Sequence, residues 1–197
     1  MNKRVMVALS GGVDSAVAAY LLKERGNDVA GITMCLGVES QDTGKVKCCG
    51  PREIEDARSV CRVLGISHYV LNLAPELRRF VIEPFIREYR SGRTPNPCVE
   101  CNRRIKFGSL LETALAMGFD LLATGHYAVV DKGGGASLLK VPKDTRKDQT
   151  YFLSGISRET LKHVVFPLAD LSKDEVRALA LRERLPVSLK PDSQDIC

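Results

Sequence analysis

The chain has 197 residues, 44% hydrophobic and 27% charged, with a formal net charge of +5. That size and composition suit one substantial folded domain with its own core. They exclude a membrane span, because no apolar run approaches the ~18 residues such a helix needs. The start, MNKRVMVALSGG, lacks the length and small-residue cleavage site of a secretory signal. A cytoplasmic chain with no membrane partner is expected. Its seven cysteines then suggest catalytic, metal-binding or buried thiols rather than a disulfide scaffold.

Residues 5–9 form a short apolar run that reads as a strand and ends in Ser10-Gly11-Gly12. Residues 13–25 carry Val13, Ala16, Val17, Ala19, Tyr20 and Leu21 at helical spacing, with Gly26 placed to stop the helix. Residues 29–34 read as a second strand and 37–50 as a polar loop. Pro51 opens a helix to about Leu64, where its missing N–H costs little. A third strand follows at 68–73, then a helix over 75–89 that tolerates Pro84 only with a kink. SGRTPNP, residues 91–97, is a turn-rich link. A helix is expected over 99–117 and a fourth strand over 121–124, ending at Gly125-His126. Strands alternating with helices predict an α/β fold with a doubly wound parallel sheet. Beyond it, 129–141 reads as a hairpin around the glycines at 133–135. Residues 172–184 read as a helix with Ser172 as N-cap and Glu175 three residues on, a capping-box pattern. The tail PVSLKPDSQDIC is turn-rich, and its abrupt stop at Cys197 suggests a fragment of a longer protein.

The strongest chemical signal is Ser10-Gly11-Gly12-Val13-Asp14-Ser15, at the junction of the first strand and first helix. Glycines let backbone N–H groups approach an anion, and the helix start adds unsatisfied donors and a positive dipole end. The hydroxyls of Ser10 and Ser15 add hydrogen bonds. Neither a Walker loop nor the dinucleotide pattern of spaced glycines fits. SGGVDS resembles the signature of the PP-loop ATP pyrophosphatases, which cleave ATP between the α- and β-phosphates to adenylate a substrate. That resemblance implies ATP, with Mg2+, held by Ala8, Leu9, Ser10, Gly11, Gly12, Val13, Asp14 and Ser15. Asp14 either caps the helix or orients the magnesium.

Four further motifs narrow the resemblance: TPNPCVECNRRIKF at 94–107, TGHYA at 124–128, KDQTY at 147–151 and DSQDIC at 192–197. Together they resemble the tRNA-specific 2-thiouridylases from the first strand to the last residue. The resemblance implies ATP-dependent 2-thiolation of the wobble uridine of tRNA. The C2 oxygen would be adenylated, and sulfur would come from a persulfide on Cys197, loaded by a protein sulfur donor. Cys101 would act as the second catalytic cysteine and end in a disulfide with Cys197. Met34 and Gly125 match nucleotide positions. Asn96, Pro97, Cys98, His126, Lys147, Asp148 and Gln149 match positions that contact tRNA. Residues 1–197 would then be the catalytic domain, with 142–197 a tRNA-contacting extension and the family's central and β-barrel domains absent.

A thiol reacts better when its pKa is lowered, and Cys101 is expected to open a helix with Arg103 and Arg104 close by. Cys98 departs from the family, which often has aspartate there. Cys98, Cys101 and Cys197 could therefore supply three thiolates to a [4Fe-4S] cluster with one open iron; zinc would need a fourth ligand. The persulfide and cluster routes both stay open. Cys35 and Cys61 read as small buried hydrophobes. Cys48 and Cys49 resemble a pair in some family members and have no assigned role. Lys140, Lys143, Arg146 and Lys147 form one basic cluster that could track phosphates. Arg103, Arg104 and Lys106 form another, with Tyr127 and Tyr151 as the available stacking rings. Two other readings stand beside thiolation: a different PP-loop adenylating enzyme, or a nucleotide- or RNA-binding fragment without turnover.

Overall fold

A computed structural model describes residues 2–37, 51–133 and 136–191. The fold is a mostly parallel sheet with helices on both faces. Strand β1, Arg4–Ala8, leads through the glycine turn into α1, Val13–Glu24. Strand β2, Asp28–Cys35, α2, Pro51–Leu64, and β3, Ser67–Asn72, follow. A long helical stretch then runs through α3, Ala74–Leu77, a π-helical segment at Arg78–Ile82, and α4, Glu83–Arg90. The next is α5, Pro97–Glu100, a second π segment at Cys101–Leu110, and α6, Leu111–Ala116. Strand β4, Leu121–Ala123, precedes a hairpin of β5, Val129–Asp131, and β6, Leu138–Lys140. Short helices α7, Thr150–Leu153, and α8, Arg158–Lys162, lead to β7, Val164–Val165, and α9, Lys173–Arg182.

The main sheet has the order β3-β2-β1-β4-β7, and every pairing in it is parallel. The chain starts in the middle, winds outward to β3, then returns to the other side of β1. Ligands bind at the carboxyl edge of such sheets, where the winding reverses. Here that point lies between β1 and β4, so the SGGVDS turn and Gly125 emerge side by side.

Side-chain alternation along the strands builds two cores. Val5, Val7, Leu121 and Ala123 pack with α1, α2 and α9 on one face. Met6, Ala30, Ile32 and Leu122 pack with α3, α6 and the two π segments on the other.

The helix expected over 75–89 is present, and Pro84 leaves its mark as a change of helix type. Proline has no N–H to donate four residues back, and the turns just before it widen into the π form at Arg78–Ile82. The link at 91–97 is shorter than expected, because Pro97 is already helical and Asn96 is its cap. Strand β7 has no counterpart among the expected elements; two residues carry no periodicity. Helix α9 stops at Arg182 rather than continuing to Arg184. Arg184 has a φ of 52°, and its N–H and that of Leu185 close back on Leu181 and Ala180 at 3.1 and 3.0 Å. That is a Schellman turn built without glycine. Gly134 and Gly135 of the hairpin, residues 38–50 with Cys48 and Cys49, and the tail from Asp192 to Cys197 lie outside the described residues.

Candidate nucleotide and thiol site

At the end of β1, Gly11 has a φ of 74°. A Cβ there would also lie 2.7 Å from the Glu53 carbonyl oxygen, so glycine is required on two counts. Gly12 is the N-cap of α1, and no side chain among the described residues caps that helix. Its first-turn N–H groups are therefore available to an anion rather than to a protein side chain. Ser15 Oγ accepts from the Ser10 N–H at 3.3 Å and donates to the Gly12 carbonyl at 3.1 Å, which holds the turn closed. Met34 lies near the end of β2, half-buried at the same sheet edge.

Asp14 is neither a helix cap nor an open carboxylate. Lys173, 8% exposed, places Nζ 2.6 and 2.7 Å from its two oxygens. The Tyr127 hydroxyl donates to it at 2.9 Å. A Lys–Asp pair with little water around it is held strongly only while both partners remain. Lys173 begins α9, whose capping box is formed as the sequence suggests: Ser172 and Glu175 exchange bonds of 3.2 and 2.6 Å. Lys190 adds a second tie. Its Nζ donates to the Gly11 carbonyl at 3.1 Å and meets Asp56 at 2.6 Å. The segment leading toward Cys197 is thus fastened to the glycine turn. Lys173 and Lys190 were not visible as site residues in the sequence, because their partners lie 159 and 179 residues away.

The TGHYA segment joins this turn to a second feature. A Cβ on Gly125 would sit 2.7 Å from the Ser15 nitrogen and 2.8 Å from the Asp14 carbonyl carbon, so Gly125 packs directly on the start of α1. His126, the next residue, faces a pocket of about 210 Å3 lined by Leu77, Val81, Pro97, Cys98, Cys101, Asn102, Lys106, His126, Gln149 and Phe152. Gln149 Oε1 accepts from the Tyr127 N–H at 2.9 Å, which ties 147–149 to the same segment. Burial, with Lys106 as a smaller cause, holds the His126 pKa well below its ordinary value. Its ring is neutral at pH 7, shares a 2.7 Å hydrogen bond with Thr124 Oγ1, and packs against Phe107 and Phe166.

Six of the residues singled out from the sequence therefore share one wall: Pro97, Cys98, Cys101, Lys106, His126 and Gln149. Cys101 is buried at 6% exposure. It does not open its helix. Its N–H already bonds the Pro97 and Cys98 carbonyls, a full turn in, and Cys98 lies nearer the positive end. Asn96 Oδ1 accepts from the N–H groups of Cys98 and Val99 at 3.0 and 3.3 Å, so its side chain serves as the cap. Asn96 also borders a larger groove of about 610 Å3 with Arg79, Arg103, Arg104 and Tyr151. Lys147 and Asp148 line neither cavity; Asp148 accepts from the Thr150 N–H at 2.9 Å. In the basic cluster, Lys140 pairs with Asp131, Lys143 with Glu175, and Arg146 with Asp144 and Asp174. The Lys140 and Lys143 pairs are exposed and weak enough for a phosphate to compete with, whereas the Asp144 side chain is only 3% exposed and holds Arg146 more firmly.

Cys35 and Cys61 are both 2% exposed, and burial pushes the Cys61 thiol up to about 11. Among the described residues, no disulfide joins any two of Cys35, Cys61, Cys98 and Cys101. Among the described residues no group of three His, Cys, Asp or Glu side chains is placed to hold a metal ion. Cys98 and Cys101 supply two thiols to one pocket, and a third would have to come from outside the described residues. No helix among the described residues is long and apolar enough to cross a membrane.

The family model described as the tRNA methyl transferase HUP domain matches residues 3–197. The chain belongs to that family. This HUP domain is 59% identical over 197 residues to the tRNA-specific 2-thiouridylase MnmA 1 of Syntrophus aciditrophicus (strain SB), covering 100% of this chain and 53% of that protein. It is 50% identical over 203 residues to tRNA-specific 2-thiouridylase MnmA of Caldicellulosiruptor saccharolyticus, covering 100% of this chain and 56% of that one. The chain thus spans about half the length of the curated relatives it matches. Among solved structures, the HUP domain superposes on a 4-thiouridine synthetase bound to RNA and ATP with a TM-score of 0.60. That match has 22% identity and covers 99% of this chain and 44% of the other. A glutamine-dependent NAD+ synthetase from Acinetobacter baumannii in complex with ADP gives 0.59 at 16% identity, covering 98% and 33%. At these identities the structures establish a shared fold.

Proposed function

We propose that this HUP domain is the ATP-using catalytic part of a tRNA-uridine 2-sulfurtransferase, and that the glycine turn and the thiol pocket work as one site. The observation that carries this reading is the TGHYA segment. Gly125 touches the start of α1, and His126 walls the pocket that holds Cys101. The relatives named for 2-thiouridylation support the choice of thiolation over the methyl transfer in the family's name.

In this account the α-phosphate of ATP lies at the turn and the target uridine enters the pocket. The uridine C2 oxygen attacks the α-phosphorus, pyrophosphate leaves, and the N3 proton is lost to solvent or base. A persulfide on Cys197 attacks C2 through its terminal sulfur and AMP departs. The Cys101 thiolate then attacks the Cys197 Sγ and breaks the S–S bond. Sulfur stays on C2, a Cys101–Cys197 disulfide forms, and an external thiol must reduce it before the next turnover. Tyr127 and Lys173 hold Asp14 and so fix the first turn of α1 under the phosphates. Magnesium, if bound with ATP, would supply charge neutralisation at the phosphates; Asp14 is already paired with Lys173. Were an iron–sulfur cluster bound, Cys98 and Cys101 would be two of its ligands, and it would supply sulfur in place of the persulfide.

The test is mass spectrometry of tRNA nucleosides after incubation with ATP and a persulfide-generating sulfur donor. The reading expects 2-thiouridine from the unaltered protein and none from Cys101→Ala or Cys197→Ala. A second reading follows from the chain's coverage of only about half of each relative. It expects nucleotide binding without turnover by residues 1–197, and turnover by a full-length relative.

A further inference from the structure

Lys190 reaches the phosphate turn from 179 residues away, and it grips a backbone carbonyl there as well as a carboxylate. Its Nζ donates to the Gly11 carbonyl at 3.1 Å and pairs with Asp56 at 2.6 Å. The two charged side chains are 28% and 29% exposed. The lysine backbone is anchored too. Its N–H bonds the Val187 carbonyl at 2.9 Å, and its carbonyl accepts from Arg177 of α9 at 3.2 Å. Asp56 lies on α2, and a Cβ on Gly11 would sit 3.3 Å from the Asp56 side chain. The ammonium is therefore held over the Gly11 carbonyl from both ends, by α9 and by α2.

That carbonyl belongs to the peptide joining Gly11 to Gly12. The unit is planar and trans, so its C=O and N–H point in opposite directions. Whatever orients the Gly11 carbonyl also orients the Gly12 N–H. With no Cβ on either residue, this peptide rotates at less steric cost than others in the turn. Rotated by half a turn, it would present an oxygen where the N–H stood, and a phosphate would meet repulsion in place of a donor. The bonds of Ser15 Oγ, from the Ser10 N–H and to the Gly12 carbonyl, hold other peptides of the turn. Among the described residues no hydrogen bond takes up the Gly12 N–H.

We infer that Lys190 is a positioning residue for ATP: by gripping the Gly11 carbonyl it holds the Gly12 N–H ready for the nucleotide phosphates. The inference rests on reading SGGVDS as the ATP turn. It gives Lys190 a part in the reaction without requiring the lysine to touch the nucleotide.

The test labels the protein with glycine carrying 13C at the carbonyl and 15N at the amide. A magnetic-resonance spectrum that selects amides joining two glycines then holds signals from Gly12, Gly134 and Gly135. Gly134→Ala removes the other two and so assigns that of Gly12. ATP is expected to move the Gly12 signal in the unaltered protein. In nucleotide-free Lys190→Met that signal should split or broaden as the peptide samples both orientations. The same variant should bind ATP about tenfold or more weakly, and adenosine within about threefold of the unaltered protein. Lys190→Arg, which still donates to a carbonyl, should recover both the signal and the ATP affinity. A Gly12 signal that bound ATP leaves in place overturns the inference. So does a folded Lys190→Met whose Gly12 signal is unmoved and sharp, or whose ATP affinity stays within about threefold. If Lys190→Met does not fold, the response of Gly12 to ATP in the unaltered protein decides alone. Failure of the unaltered protein to bind ATP strikes the nucleotide reading and the inference with it, whereas ATP binding that ignores Lys190→Met strikes the inference only.

Discussion

At the scale of single residues, the site depends on charges and thiols placed by burial. Lys173 and Asp14 form a pair in which the lysine side chain is 10% and the aspartate 32% exposed. Replacing Lys173 with alanine leaves the carboxylate, among the described residues, with the Tyr127 hydroxyl. The expected cost is about 2–3 kcal/mol of stability by urea unfolding, with weaker ATP binding. His126 gives a pH signature. Its pKa is depressed in the folded state, so the unfolded chain binds the extra proton first. Its contribution to stability is fully present above the ordinary value of 6.5 and is lost as pH falls from there toward the folded-state value. A His126→Gln variant should show a flatter stability profile over that range. The SGGVDS turn, Cys101 and His126 were legible because each sits in a contiguous motif. Lys173 and Lys190 were not, since their significance comes from partners distant in the chain.

Secondary-structure elements carry the second set of expectations. The capping box of α9 was readable from Ser172 and Glu175 alone, and Ser172→Ala should cost about 1 kcal/mol. Glu175 is held down to about 2, first by the Ser172 N–H and then by Lys143. Its support of the helix is present above the ordinary 4.5 and is lost as pH falls through about 2. At the other end Arg184 occupies a left-handed conformation with a φ of 52°. Arg184→Gly should therefore raise stability by about 1 kcal/mol, visible as a higher urea midpoint. The α/β alternation and the strand positions were legible because buried parallel strands leave dense apolar runs. Strand β7 is too short to leave a pattern. The π segment at Cys101–Leu110 has no sequence signature comparable to the proline that marks the first one.

For the whole molecule, the sheet order places β1 and β4 together where the winding reverses, and Gly125 closes the gap between them. A methyl group there meets backbone rather than a flexible side-chain tip. Gly125→Ala should destabilise the protein by about 1–3 kcal/mol and weaken ATP binding at least tenfold, measured by calorimetry. Doubly wound topology was readable from the alternation of elements, and it correctly placed the glycine turn at a carboxyl edge. The meeting of Cys101 with Cys197 is a different matter, since Cys197 lies outside the described residues. We propose that the phosphate turn and the thiol pocket serve one reaction. The most direct measurement uses ATP labelled in its α-phosphate, with Cys197→Ala in the natural protein and no sulfur donor. Label should accumulate on unmodified tRNA, with one pyrophosphate released for each adenylate bound. Pyrophosphate release that ignores tRNA, or label that never leaves the nucleotide pool, would contradict it.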